Sequence, residues 1–243
     1  MRSLLLVVVS LPAVASYSSE LYNQQKIGFG ACSDHFVGGF VPSYKDSSEK
    51  PKETLELCSS RDYFYATLYD VDFSVPAWSA YVAQPFRPGG ERSDHWRQDD
   101  APELEGTNQQ PAESAHWPKD YDRGHVAPNA ALYTSDAGAD STFLTTNIAA
   151  QHYKFNRYPW KNRETDIRDR ADAIESPVYV IAGVGFDDRS NPNTMPGKRA
   201  LSSTGENYTF HARSELLLWR CLRSGCEGKC RFLGCEQWER GGG

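Results

Sequence analysis

Over the first two-thirds of the chain, apolar positions come in short bursts between polar stretches, the rhythm of strands with one helix among them. Residues 63–71 and 77–83 are rich in aromatic and β-branched side chains and predict two strands. Residues 88–118 break the pattern with Gly89-Gly90, several carboxylates and Gln109-Gln110-Pro111, and predict a long surface loop placed to cover a site. A polar turn is expected at 135–140 and a short strand at 142–148. A helix is expected at 156–173, where Pro159 is tolerable because it falls in the first turn. The near-continuous apolar run at 177–185 predicts a central strand. Beyond it, residues 187–201 are polar and turn-rich, 214–219 are briefly apolar, and no periodic element completes a sheet. There is no internal repeat.

The N-terminus adds a compartment to this picture. Met1-Arg2-Ser3, the apolar run from Leu4 and the small-residue Ala13-Val14-Ala15 site form a secretory signal too short to span a bilayer. No later apolar run is long enough to cross a membrane, so the expectation is a secreted, extracellular protein with no membrane partner. Six cysteines in such a chain favour disulfides. The simplest pairing joins Cys32 to Cys58 and leaves two bridges among Cys221, Cys226, Cys230 and Cys235, whose connectivity stays open. A zinc site from those four is the rival, disfavoured because their spacing lacks a paired Cys-x-x-Cys pattern. The formal charge of −6 argues against coating of nucleic acid by the whole surface, so any such partner needs a local basic groove.

The candidate chemistry begins at Asp122-Arg123-Gly124-His125. Cutting a phosphodiester needs an activated water, neutralised phosphoryl oxygens and a stabilised leaving oxygen. His125 suits the first task because imidazole titrates near neutrality, and Arg123 suits the second through paired hydrogen bonds to phosphate. Asp122 is expected to support the turn or a neighbouring basic group. Asn156, Trp160, Glu164 and Arg168 are spaced by four and share one side of the expected helix. Asn156 offers an amide oxygen to a metal, but as the first helical residue it would also serve as a simple N-cap, and one amide oxygen cannot do both. Glu164 and Arg168 alone would be an ordinary surface ion pair. Residues 151–163 interleave Lys154, Arg157, Lys161 and Arg163 with Tyr153, Phe155, Tyr158 and Trp160 and hold no acid. This is a candidate nucleic-acid surface, with Trp160 expected in the core.

At these residues the chain resembles the DNA/RNA non-specific endonuclease family. The match runs from Asp122-Arg123-Gly124-His125 through Thr146-Asn147-Ile148-Ala149-Ala150-Gln151 to Phe155-Asn156-Arg157, Trp160, Glu164 and Arg168. It covers roughly residues 60–200. Ala150 stands where the family usually has proline, and the family's later aromatic segment has no counterpart after Arg199. Cys32, Cys58, Thr67-Leu68-Tyr69-Asp70 and Trp78-Ser79-Ala80-Tyr81 look most like a secreted branch. The resemblance implies an α+β, ββα-metal (His-Me finger) fold, with a mixed or antiparallel central sheet flanked by helices. It implies His125 as general base, Asn156 as direct magnesium ligand (manganese being a possible substitute), and Arg123 and Arg168 on phosphate. Asn147 and Glu164 would order the site and its metal-bound waters. DNA and RNA would be the substrates, the products would carry 5′-phosphate ends, and a homodimer is possible.

The organisation expected is a signal at 1–15, a disulfide-tethered lead-in at 16–60, the endonuclease domain at 61–200 and a divergent cysteine-rich tail at 201–243. Two functions compete: a secreted magnesium-dependent, sugar-nonspecific endonuclease, and a secreted module of the same fold that binds nucleic acid or protein with little or no catalysis. A serine hydrolase is disfavoured, since the chain has no Gly-x-Ser-x-Gly elbow.

Overall fold

In the computed structural model, the described residues are 8–9, 29–36, 41–42, 51–58, 64–85 and 93–185, together with short strands at 199–201, 207–209, 215–216, 219–221 and 231–232. The strands, in chain order, are β1 (Val8–Val9), β2 (Thr54–Cys58), β3 (Tyr65–Asp70), β4 (Val75–Ala83), β5 (Tyr121–His125), β6 (Ile148–His152), β7 (Val178–Gly185), β8 (Arg199–Leu201), β9 (Asn207–Thr209), β10 (Glu215–Leu216), β11 (Trp219–Cys221) and β12 (Arg231–Phe232). The main sheet runs β12-β11-β1-β7-β4-β3-β2, with β10 also on β7, and its pairs from β2 to β7 are antiparallel. β5 and β6 form a separate antiparallel hairpin-like pair, and β8 pairs with β9.

The two strands expected at 63–71 and 77–83 and the central strand expected at 177–185 are present as β3, β4 and β7. β4 is buried along nearly its whole length because both of its faces are covered. Trp78 packs against Phe29 and Phe36, at ring distances of 5.3 and 5.9 Å. Ser79 and Tyr81 point to the opposite face, where Ser79 meets Thr67 at 2.9 Å. The 3₁₀ turn Gly30–His35 is tied to β2 by the Cys32–Cys58 disulfide, as expected. The lead-in is more than a tether, since its β2 is an edge strand of the main sheet.

Four expectations need correction. Residues 135–140 contain a helix, α1 (Asp136–Ser141), capped by Ser135, whose Oγ accepts from Gly138 N at 3.1 Å. The strand expected at 142–148 starts only at Ile148, because Thr145–Asn147 form a 3₁₀ turn with all three residues buried. The helix expected from 156 begins at Tyr153. It runs as α2 (Tyr153–Phe155), a π-helical turn (Asn156–Trp160) and α3 (Lys161–Ala173). Pro159 therefore lies inside the helix, at the π turn, where a wider ladder accommodates its missing N–H and its ring. α3 ends in a Schellman-type pair, Ser176 N to Ala171 O at 3.2 Å and Glu175 N to Asp172 O at 3.0 Å.

The last correction concerns the tail, where β8 to β12 stand in a region read as lacking strands, and β10, β11 and β12 extend the main sheet. The pairings expected among Cys226, Cys230 and Cys235 lie outside the described residues, and for Cys221 only the strand backbone is described. Val8–Val9, inside the expected signal, pairs with β7 and β11, so removal of residues 1–15 takes that strand out of the sheet.

Candidate active site

The β5–β6 pair and the helix that follows it form a strand-strand-helix unit, and the site is built where they meet. Alternation along β5 sends Tyr121, Arg123 and His125 to one face and Asp122 and Gly124 to the other. Asp122 and Gly124 face the helix with Gln151 of β6. The Gln151 side chain fills the space beside Gly124 so fully that a Cβ there would lie 2.1 Å from its Cδ. Glycine is thus required by close packing.

Asp122 organises the helix wall. Its Oδ2 accepts from Asn156 Nδ2 at 3.0 Å and from Arg157 Nε at 2.8 Å, and its Oδ1 accepts from Arg157 Nη2 at 2.7 Å. Burial works to raise the Asp122 carboxyl, but the bonds from Arg157 and Asn156 hold it below its ordinary value. The conflict over Asn156 is resolved by the earlier helix start. The cap is His152, whose Nδ1 accepts from Lys154 N at 3.3 Å. The Asn156 amide is instead held by its nitrogen, which leaves Oδ1 as its acceptor toward the cleft.

The opposite wall is aromatic. The His125 ring lies 4.9 Å from Trp96 and 5.1 Å from Phe143, edge-on to the latter. The Arg123 guanidinium stands 4.3 Å from the Trp96 ring centre and donates to the Ala112 carbonyl. Burial lowers the Arg123 pKa, against the pull of Asp94 and Glu113. Trp96, Asp94, Ser114, Trp117, Lys119 and Tyr121 were missed as site residues. They belong to the run read as a surface loop, or to its end. In the structure the described part of that run, residues 93–118, is a strap folded down by buried polar bonds. Thr146 Oγ1 donates to Asp99 Oδ2 at 2.6 Å, Thr145 Oγ1 to Gln109 Oε1 at 2.6 Å, and Trp117 Nε1 to Pro111 O at 2.8 Å. The tryptophans were the available signal, since large rings seldom stay in a purely solvated loop.

Between the walls lies a cleft of about 880 Å³. It gathers Arg123, His125, Asn156, Arg157, Lys161, Glu164 and Arg168 from two separate stretches of sequence. Burial pushes the Glu164 carboxyl up to about 7, opposed by Arg168, the Trp160 indole and Lys161. Trp160 is buried, as expected, and stacks on Phe155 at 6.3 Å.

Three expected site residues stand elsewhere. Asn147 is fully buried and its amide is spent on the backbone: Oδ1 accepts from Ala127 N at 2.8 Å, and Nδ2 donates to Ala127 O at 2.9 Å and Thr142 O at 3.0 Å. It is a positioning residue that fixes the chain just after His125. Arg163 faces away from the cleft and pairs with Asp166 at 3.4 Å. Lys154 is exposed outside the cleft lining, and Arg157, although in the cleft, is committed to Asp122.

The donor set fits magnesium. That ion keeps most of its water and takes one or two protein oxygens, which Asn156 Oδ1 and the Glu164 carboxylate can offer on one wall. Among the described residues, no three His, Cys, Asp or Glu side chains are grouped so as to hold a metal ion by themselves.

Residues 51–208 match the family described as DNA/RNA non-specific endonuclease. A nuclease of Nostoc sp. is 29% identical over 120 residues, which cover 49% of this chain and 43% of that protein. A nuclease of Syncephalastrum racemosum is 42% identical over 67 residues, covering 27% of this chain and 21% of that one. The chain thus matches less than half the length of either relative. A chain from a solved EndoG/EndoGI complex aligns with a TM-score of 0.45 at 21% identity, covering 76% of this chain and 65% of that one.

Proposed function

The chain belongs to the DNA/RNA non-specific endonuclease family, and on that premise we propose that it is a secreted, magnesium-dependent endonuclease that hydrolyses DNA and RNA to 5′-phosphate ends. The observation that carries the reading is the pairing of His125 with an Asn156 amide oriented by Asp122, across one cleft lined by Arg123 and Arg168. His125 takes the proton from the attacking water. Arg123 and Arg168 neutralise the non-bridging oxygens of the phosphate. Asn156 Oδ1 would hold the divalent ion directly and Glu164 would hold it through its waters, and manganese could take magnesium's place. When bound, the ion supplies positive charge to the phosphate and to the leaving oxygen. The basic start, apolar run and small-residue site within residues 1–15 support the export part of this reading. No described helix is long and apolar enough to cross a membrane.

The test is to produce the exported chain in an oxidising host beside His125→Ala. Plasmid DNA and RNA are then incubated with each, in magnesium or in chelator. Magnesium-dependent cleavage is expected from the parent, and a loss of about 10²- to 10⁴-fold from the variant, the range for a lost general base. Equal cleavage by both would sink the assignment of His125. No cleavage by folded parent protein would favour the non-catalytic binding module.

A further inference from the structure

The cleft rim carries a row of rings that the chemistry above does not use. Tyr121 and His152 are direct cross-strand partners, and their rings meet edge to face at 5.8 Å. His152 in turn stacks on Tyr153 at 4.8 Å and 28°. The Arg157 guanidinium stands 5.6 Å from the Tyr153 ring centre. His152 is exposed, while Tyr121 and Tyr153 are half-buried. The row begins in the cleft, where Tyr121 and Arg157 are wall residues, and runs outward past them.

An exposed imidazole ordinarily samples several rotamers. This one is held by its bond from Lys154 N, by the stack on Tyr153 and by the perpendicular contact with Tyr121. With Nδ1 accepting, the neutral ring carries its proton on Nε2. A ring already fixed loses little freedom when another flat ring is laid on it. Charge alone does not mark this rim. Lys119 and Lys154 are exposed there, but so is Asp120, whose carbonyl accepts from Tyr153 N at 3.0 Å. The rings are what set it apart.

We propose that the Tyr121–His152–Tyr153 row is a stacking platform for unpaired bases, so that the cleft takes single-stranded nucleic acid in preference to intact duplex. The inference rests on the nuclease reading for the polymer that enters the cleft. Bases within a duplex are already stacked on both sides and must be unstacked before they can present a ring face. Unpaired bases present it at once, and any base sequence suffices.

The test uses the full exported chain carrying His125→Ala, in chelator, with fluorescence anisotropy of three labelled probes: oligothymidylate, oligouridylate and a DNA hairpin duplex. His152→Asn keeps an acceptor for Lys154 N and removes the ring. Tyr153→Leu removes the ring beneath it, and His152→Phe restores a flat ring at 152. Each ring removal is expected to weaken single-strand binding about tenfold while changing duplex binding by less than about twofold, and His152→Phe is expected to recover the loss. Equal losses on single strand and duplex, or none, overturn the platform and leave the nuclease reading standing. A parent chain that neither binds nor cleaves nucleic acid overturns both.

Discussion

The two walls of the cleft are held by different forces. On the helix wall, one carboxylate fixes two side chains: Asp122 takes bonds of 2.7, 2.8 and 3.0 Å from Arg157 and Asn156. On the hairpin wall, His125 and Arg123 are positioned by the faces and edges of Trp96 and Phe143. Directional, charge-assisted bonds set where an atom points, which a metal ligand requires. Ring packing sets the plane of the imidazole, which a proton-transfer group requires. The division suggests that damage to either wall should leave a different kinetic signature.

The largest effect comes from forcing the walls apart at their shared strand. Gly124→Ala places a methyl group 2.1 Å from Cδ of the fully buried Gln151, whose side chain must shift to admit it. The expected cost is about 1–3 kcal/mol of stability from overpacking. A displacement of β5 by an ångström would cost about 10²-fold in kcat. Chemical denaturation and kcat measured together check this. Wild-type kcat in the variant would show that the packing does not set the site.

Next comes the helix wall alone. Asp122→Ala releases Asn156 and Arg157 while leaving the aromatic wall in place. The magnesium concentration for half-maximal activity should rise about 10- to 100-fold, the usual penalty for losing a group that orients a ligand. A magnesium titration at saturating substrate reads it. An unchanged midpoint with lower kcat would place Asp122 in the chemistry itself.

The hairpin wall gives a smaller and different change. Trp96→Leu removes the ring beside His125 and Arg123 and should lower kcat about tenfold, with the magnesium midpoint unmoved and Trp96→Phe recovering most of the loss. A shifted midpoint would mean that the two walls are not independent.

The walls also differ in how far they could be read from sequence. Asp122 through His125 lie on β5 and Glu164 and Arg168 on α3, where periodicity carries orientation, and the structure brings them into one cleft with Asn156 of the π turn. The strands β3, β4 and β7 were legible as well. Trp96 was not, because it reaches His125 from a strap with no periodicity, fixed by tertiary bonds such as Thr146 to Asp99. How Asn147 acts was not legible either, because a residue that touches substrate and one that holds the chain look alike in one dimension, and only its three backbone bonds separate them. The start of the helix was misplaced because the cap is a histidine, an uncommon choice, and because Pro159 reads as a first-turn residue unless a π turn admits it.

The smallest effect per unit of change is a pH dependence that the helix wall alone should show. Its two carboxyls are shifted in opposite directions. Asp122 lies below its ordinary value, so its stabilising contribution is present above the unfolded-state pKa and is lost only as pH falls through the lowered folded pKa. Glu164 is raised from 4.5 to about 7, so between those values the folded chain binds more protons there than the unfolded one. Its contribution is therefore fully present below about 4.5, declines as pH rises and is lost above about 7. Between about 5 and 7, Glu164 is the one of this pair that titrates, with a slope of at most about 1.4 kcal/mol per pH unit, or roughly 3–5 °C in Tm. In chelator, the Tm of the parent should fall relative to Glu164→Gln across this window and run parallel to it above about pH 8. Magnesium, which favours the ionised form, should raise the parent's Tm more at pH 7.5 than at pH 5. Parallel melting curves from pH 5 to 8 would mean that Glu164 is hydrated rather than held in the wall.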